Sequence, residues 1–218
     1  MELDRNVERA SALDTTSLSD AMDRLGIAGQ CLGIKPLDPS FRLTGRAFTI
    51  LYGPAGQPPG TVGDYIEDVP PGHVVVLDNG GRENATVWGD ILTEVAHTRG
   101  VAGTVIDGAC RDTHLARTLG YAMFSRSYSM RTGKDRVQVE AMGGPVTVGE
   151  ARVNQGDLLR GDADGVVCLP REHEDKILTV AEEIDLVEGN IRKAVREGMT
   201  LAEARQKYGY HTLQSRVK

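Results

Sequence analysis

Residues 73–124 read HVVVLDNGGRENATVWGDILTEVAHTRGVAGTVIDGACRDTHLARTLGYAMF, and this stretch decides the fold. It opens on a continuous apolar run over 73–77 that stops at Asp78-Asn79-Gly80-Gly81, the pattern of a strand buried on both faces. A helix is predicted over 90–98, with Ile91, Leu92, Val95 and Ala96 on one side. Gly100 ends it, and a second buried strand follows over 101–106, closing at Asp107-Gly108. A further helix over 113–119 leads into the apolar segment 121–124. Such a rhythm predicts parallel strands joined by crossover helices, because parallel neighbours cannot be linked by a tight turn.

Outward from this unit the pattern is mixed. Upstream, Leu13, Leu18, Ala21, Met22 and Leu25 recur at helical spacing, with Thr16 or Ser17 as the expected N-cap and Gly26 as the stop. A loop over 29–40 precedes a strand over 47–52, which ends in the turn-rich segment 53–60. Downstream, short strands are expected over 137–139, 146–148, 158–159 and 166–169. The chain closes with a long amphipathic helix through Ile177, Ile184 and Ile191, broken at Gly198, and a last helix over 201–208. No repeat or linker divides it, so residues 1–218 read as a single α/β domain with C-terminal helices over about 171–208.

Composition narrows the function. At 218 residues the chain can bury a core without disulfides or a structural metal. A formal net charge of −6 argues against nucleic-acid and anionic-membrane partners. No run of 18 apolar residues occurs, and the start MELDRNVERA lacks the layout of a secretory leader, so a soluble, cytoplasmic protein is expected. Cys31, Cys110 and Cys168 are odd in number and form no CxxC pair, which fits buried thiols of a reducing compartment. The 26 glycines, about 12% against roughly 7% on average, point to tight turns and close backbone approaches.

Two constellations can carry chemistry. Gly89-Asp90-Ile91-Leu92 sits where a helix opens after a strand, so its free N–H groups and the helix dipole can hold a carboxylate or phosphate. An ordinary aspartate-capped helix start reads the same way. The second is 107–112, at the carboxyl end of the next strand, where ligands collect in open α/β sheets. Here Arg111 offers a permanently charged fork for a carboxylate, and Asp112 an oxygen ligand for a hard divalent cation. The plainer alternative is a surface Arg-Asp pair capping the following helix. His73, His97, His114, His173 and His211 show no metal-ligand spacing, Cys110 has no histidine partner in sequence, and nothing around Lys35 or Lys134 suggests a depressed pKa. The carboxylate-rich segment 156–165 lacks calcium-loop spacing and reads as structural turns.

Asp90, twenty intervening residues and Arg111-Asp112 together resemble the signature of the RraA-like family, which includes the class II 4-hydroxy-4-methyl-2-oxoglutarate and 4-carboxy-4-hydroxy-2-oxoadipate aldolases. Further similarity lies in the helix SDAMDRLG (19–26), the strand GRAFT (45–49), the turn GDADGVV (161–167) and Tyr208-Gly209. The resemblance implies an α/β fold of the swivelling β/β/α kind, with mixed sheets and flanking helices, assembled as a homotrimer or a dimer of trimers with sites between subunits. It implies that Asp112 ligates Mg2+ or Mn2+. Arg111 then contacts a 2-oxo acid, the backbone of Gly89, Asp90, Ile91 and Leu92 holds its carboxylate, and Asp90 orders water around the ion. The implied activity is that of a carbon–carbon lyase cleaving 4-hydroxy-2-oxo dicarboxylic or tricarboxylic acids to pyruvate and an oxo acid, with oxaloacetate decarboxylation as a second activity. Part of the family resembles non-catalytic regulators that bind ribonuclease E, the rival reading. Arg126 and Arg131 stand out as extra cations that either extend the substrate site or line a subunit interface.

Overall fold

The computed structural model describes residues 4–213, the side chains of 211 and 212 excepted, so His211 lies outside what is described. Two short helices, α1 (Arg5–Ser11) and α2 (Thr15–Leu25), precede the strands β1 (Lys35–Pro36), β2 (Leu43–Pro54) and β3 (Val74–Thr86). Then come α3 (Asp90–Thr98), β4 (Gly103–Cys110), α4 (Thr113–Leu119) and β5 (Met123–Tyr128). Five strands follow: β6 (Val137–Met142), β7 (Val146–Val148), β8 (Ala151–Val153), β9 (Leu158–Asp162) and β10 (Gly165–Leu169). The chain ends in α5 (Glu174–Arg196), α6 (Leu201–Lys207) and α7 (Tyr210–Leu213).

The main sheet runs β1-β5-β4-β3-β2-β9-β10, with β6 also paired to β2. β2, β3, β4 and β5 are mutually parallel, as the alternating strand–helix pattern predicts. Successive residues of these strands feed two different cores, which is why their apolar runs show no alternation. Val75, Leu77, Ile106 and Met123 join one core beneath α3 and α4. Val74, Val76, Val105 and Phe124 enter the other, which the β7–β8 hairpin covers. Burying each such side chain fully contributes about 1.5–3 kcal/mol. A third core joins α1, α2 and α5 to β9 and β10.

Both edges of the sheet meet one segment. Cys31 donates its N–H to Val166 and Gly29 accepts from Cys168 along β10, while Lys35 and Pro36 pair with Ser125 and Phe124 of β5. The strap needs glycine at its start: a Cβ on Gly29 would lie 2.2 Å from the Cys168 carbonyl oxygen. The sheet therefore curls until residues 29–36 tie its two ends together.

Several boundaries differ from expectation. β3 continues to Thr86 through two register shifts and β4 to Cys110, because each keeps pairing past its Asp-Gly turn signal. β8 and α1 escaped prediction, and the 29–40 loop contains β1. α2 is not capped by Thr16 or Ser17; its N-cap position is Asp14, and the capping carboxylate comes from Asp162 of β9. Asp162 accepts from the Thr15 N–H at 2.8 Å and the Thr15 hydroxyl at 2.7 Å. Asp157 likewise accepts from the N–H groups of Asn154 and Arg171. Asp157 and Asp162, two of the three carboxylates of the 156–165 segment, are thus structural.

Candidate active site

β3 and β4 are neighbours, so the two strand ends singled out in the sequence lie side by side. Their pairing runs on into the connecting turns: Val87 donates to the Ala109 carbonyl at 3.2 Å and Arg111 to the Trp88 carbonyl at 2.9 Å. These bonds set Gly89 against Arg111 and Asp112. A Cβ on Gly89 would stand 2.8 Å from Asp112 Oδ2 and 3.1 Å from Arg111 Nε, so any side chain here would displace the pair from this position.

Asp112 occupies the N-cap position of α4, yet its side chain makes no capping hydrogen bond there. Instead it turns back to α3, accepting from the Asp90 N–H at 3.3 Å and lying 3.3 Å from Arg111 Nε. The helix-capping alternative is thereby corrected. Its backbone is left-handed, with φ 55°, a conformation that costs a non-glycine residue and concentrates at functional sites. Both the Arg111 and Asp112 side chains are 38% exposed, within reach of a ligand. Asp90 accepts from the Ile91 N–H at 2.8 Å, so two of the four N–H groups from Gly89 to Leu92 meet protein carboxylates.

A rigid support lies behind this turn. The Trp88 indole N–H donates to Thr93 Oγ1 at 2.9 Å, and the Thr93 hydroxyl donates to the Gly89 carbonyl at 2.9 Å. Trp88 also stacks on Tyr121, with ring centroids 6.2 Å apart. All three side chains are buried.

The turn opens into a cleft of about 360 Å³ that takes in Gly89, Asp90, Ile91, Leu92 and Arg111. Other walls come from Val62, Gly63, Asp64, Ile66 and Glu67 and from residues 132–134, which sequence reasoning did not place there. No local motif marks Lys134; it arrives because Thr86 pairs with Thr132 alongside β3. Trp88, the single tryptophan, next to Gly89, was the signal available for the support. A separate groove of about 250 Å³ at the start of α2, lined by Thr16, Ser19 and Lys35, holds none of the predicted site residues.

Arg126 turns elsewhere, forming an ion pair with Asp107, whose other oxygen accepts from the Gly149 N–H at 2.7 Å. Asp107 raises the guanidinium's pKa further. Arg126 therefore holds the β7–β8 hairpin region and does not line the cleft. Arg131 is exposed, and its carbonyl accepts from the Thr86 hydroxyl at 2.9 Å. Burial pushes the Cys110 thiol above its ordinary value, and Cys31 up to about 12, as inert thiols require. None of the histidines whose side chains are described lines the cleft.

Among the described residues no group of three or more His, Cys, Asp or Glu could hold a metal, so a closed protein cage does not fit. One half-exposed carboxylate does suit a hard cation that keeps most of its ligands as water and substrate. Asp112 has that character, with unshared oxygen lone pairs beyond its two contacts. Among the described residues no helix is long and apolar enough to cross a membrane.

A curled mixed sheet with flanking helices, carrying an Arg-Asp pair against a helix N-terminus, defines a swivelling β/β/α protein. Residues 15–168 match the RraA-like family, Aldolase/RraA, and the chain belongs to that family. DlpA of Legionella pneumophila is 36% identical over 201 residues, 90% of this chain but 32% of DlpA, so the chain spans about a third of that relative. A Halalkalibacterium halodurans protein provisionally named 4-hydroxy-4-methyl-2-oxoglutarate aldolase is 32% identical over 174 residues, 78% of this chain and 79% of its own length. Among solved structures, an uncharacterized protein of Pseudomonas syringae pv. tomato superposes with a TM-score of 0.87 at 37% identity, covering 93% of this chain and 98% of that one. RraAS2 of Streptomyces coelicolor, described as an unusual member of the RNase ES inhibitor RraA family, gives 0.80 at 26% identity, covering 87% and 96%.

Proposed function

We propose that this chain is a divalent-metal-dependent lyase that cleaves 4-hydroxy-2-oxo acids of the 4-hydroxy-4-methyl-2-oxoglutarate type to pyruvate and a second carbonyl compound. The observation that carries the reading is that Arg111 and the N-terminus of α3 line one cleft, with the Asp112 carboxylate outside its lining but bonded to the Asp90 N–H and paired with Arg111. The names of its relatives point the same way.

The N–H groups of Gly89–Leu92 and the Arg111 guanidinium hold the substrate's C1 carboxylate, the Asp90 side chain swinging off Ile91 to admit it. Bound at Asp112, Mg2+ or Mn2+ supplies Lewis-acid polarisation of the 2-oxo group. Asp90 orders the surrounding water, and a water held by Arg111 takes the C4 hydroxyl proton. The C3–C4 bond then breaks, C4 becomes a carbonyl carbon, and the electron pair forms the enolate of pyruvate. Protonation at C3 completes the balance without a co-reactant. Oxaloacetate gives the same enolate by losing carbon dioxide, so decarboxylation belongs to the same site. Ile91, Tyr128 and Met130 are exposed by 75%, 65% and 89% beside this turn, which supports subunit contacts there in a homotrimer or dimer of trimers.

The test is pyruvate release from 4-hydroxy-4-methyl-2-oxoglutarate and from oxaloacetate, with magnesium, with excess chelator, and with Asp112→Asn. Metal-dependent release that the substitution abolishes is the expected result. No release from either substrate under any metal would move the reading to a non-catalytic regulator binding a ribonuclease, which the likeness to RraAS2 favours.

A further inference from the structure

We propose that Lys134 binds the second carboxylate of the substrate, the one attached to C4 of 4-hydroxy-4-methyl-2-oxoglutarate, and so sets a preference for dicarboxylic 2-oxo acids. The proposal rests on the lyase reading of the cleft and assigns a specificity-determining residue within it.

Among the described residues the lining of the cleft holds two cations, Arg111 and Lys134. Arg111 adjoins Asp112 and the N-terminus of α3, which are taken up by the C1 carboxylate and the metal in the proposed reaction. Lys134 comes from a separate part of the chain, the turn between β5 and β6, and is exposed. Among the described residues no carboxylate is paired with its ammonium, although Asp64 and Glu67 line the same cleft. A dicarboxylate whose first group engages Arg111 therefore finds one further cation in the lining, against the carboxylates of Asp64, Glu67 and Asp90. Without Lys134 that second charge would meet only like charges.

The turn is built to hold the lysine where it is. Thr132 pairs with Thr86 at the end of β3, and a Cβ on Gly133 would collide with the Thr86 carbonyl oxygen. Thr132 Oγ1 accepts from the Lys134 N–H at 3.3 Å. The Arg136 guanidinium donates to the Thr132 and Lys134 carbonyls at 3.1 Å and 3.3 Å. Asp135, the next residue, is left-handed with φ 63°, and it shares that conformation with Asp112 alone among the described non-glycine residues. Such backbone costs energy and persists where the surroundings dictate it, as at ligand clamps.

The experiment uses the full chain with magnesium chloride. Calorimetric dissociation constants are measured for two non-cleavable probes, 2-oxopentanedioate and 2-oxopentanoate, which differ by a carboxylate in place of the C5 methyl. An exposed ammonium should favour the dicarboxylate by about five- to tenfold in the wild type. Lys134→Met should abolish that preference by weakening the dicarboxylate alone. Lys134→Arg should retain most of it, and added salt should shrink it. Equal binding of the two probes by the wild type overturns the proposal, as does a preference that Lys134→Met leaves intact. A loss falling equally on both probes, or no binding of either, overturns it too. Absence of pyruvate from 4-hydroxy-4-methyl-2-oxoglutarate, with the preference and its dependence on Lys134 intact, instead removes the lyase reading and leaves the role of Lys134 standing.

Discussion

The backbone N–H of Asp90 donates to Oδ2 of Asp112 at 3.3 Å, so the residue that opens α3 is bonded to the one that precedes α4. Two successive crossovers are thereby joined at their helix starts, and the joint closes over Gly89. Gly89→Ala inserts a methyl 2.8 Å from Asp112 Oδ2 and must push the carboxylate away. Its backbone, at φ −147°, is open to any residue, so folding survives. Pyruvate release is expected to fall by about 10²-fold through misplaced groups, with the melting temperature nearly unchanged.

Asp112→Asn separates the charge from the backbone geometry, because asparagine tolerates the left-handed conformation as well as aspartate does. Manganese binding, followed by electron paramagnetic resonance, should be lost. On the proposed metal-dependent reading, magnesium raises the melting temperature of the wild type and not of this variant. Retained manganese affinity would exclude Asp112 as the ligand.

Thr93→Val removes the hydroxyl shared by Trp88 and the Gly89 carbonyl while keeping the side chain's shape. It leaves the buried indole N–H without an acceptor, so unfolding free energy should drop by about 1–3 kcal/mol. Tryptophan fluorescence reports the same change, since Trp88 is the single tryptophan.

Burial opposes ionisation of Asp162, but the hydrogen bonds from Thr15 and the Asp164 N–H outweigh it and hold the carboxyl below its ordinary value. A depressed carboxyl stabilises the fold above its unfolded pKa and loses that contribution as pH falls through the folded one. Asp162→Ala should therefore cost about 1–2 kcal/mol at neutral pH. The difference from wild type should shrink below the ordinary value of 3.8. Denaturant titrations at several pH values measure the gap.

Cys110 adjoins Arg111 in sequence but lies buried near Ser125 Oγ, with its thiol pKa raised by burial. Cys110→Ala should leave the proposed pyruvate release unchanged, and native protein should resist thiol reagents at this position. Loss of activity with an intact fold would make the thiol a participant.

The parallel unit was legible because its signal is local: apolar runs ending in Asp-Gly, then helical periodicity, set α3 and α4 at their observed bounds. Gly89-to-Leu92 and Arg111-Asp112 were legible for the same reason, each standing where a strand hands over to a helix. What escaped depends on distant partners. Asp162 caps a helix 147 residues upstream, and Lys134 reaches the cleft through pairing with β3. The true ends of β3 and β4 were hidden because tertiary pairing overrode the turn residues inside them. Arg126 could be left only between the substrate site and a subunit interface, because sequence does not reveal that Asp107 already holds it.

The strap over residues 29–36 has a consequence for how the chain is made. An open sheet offers unpaired backbone to any passing strand, and tying both ends together leaves little for another copy to join. Yet the strap is synthesised before every strand it ties, and its partner Val167 emerges far later. β5 can take up Lys35 and Pro36 as soon as it is made, but residues 29–31 wait for β10, so the closure of the sheet is a late, long-range step of folding.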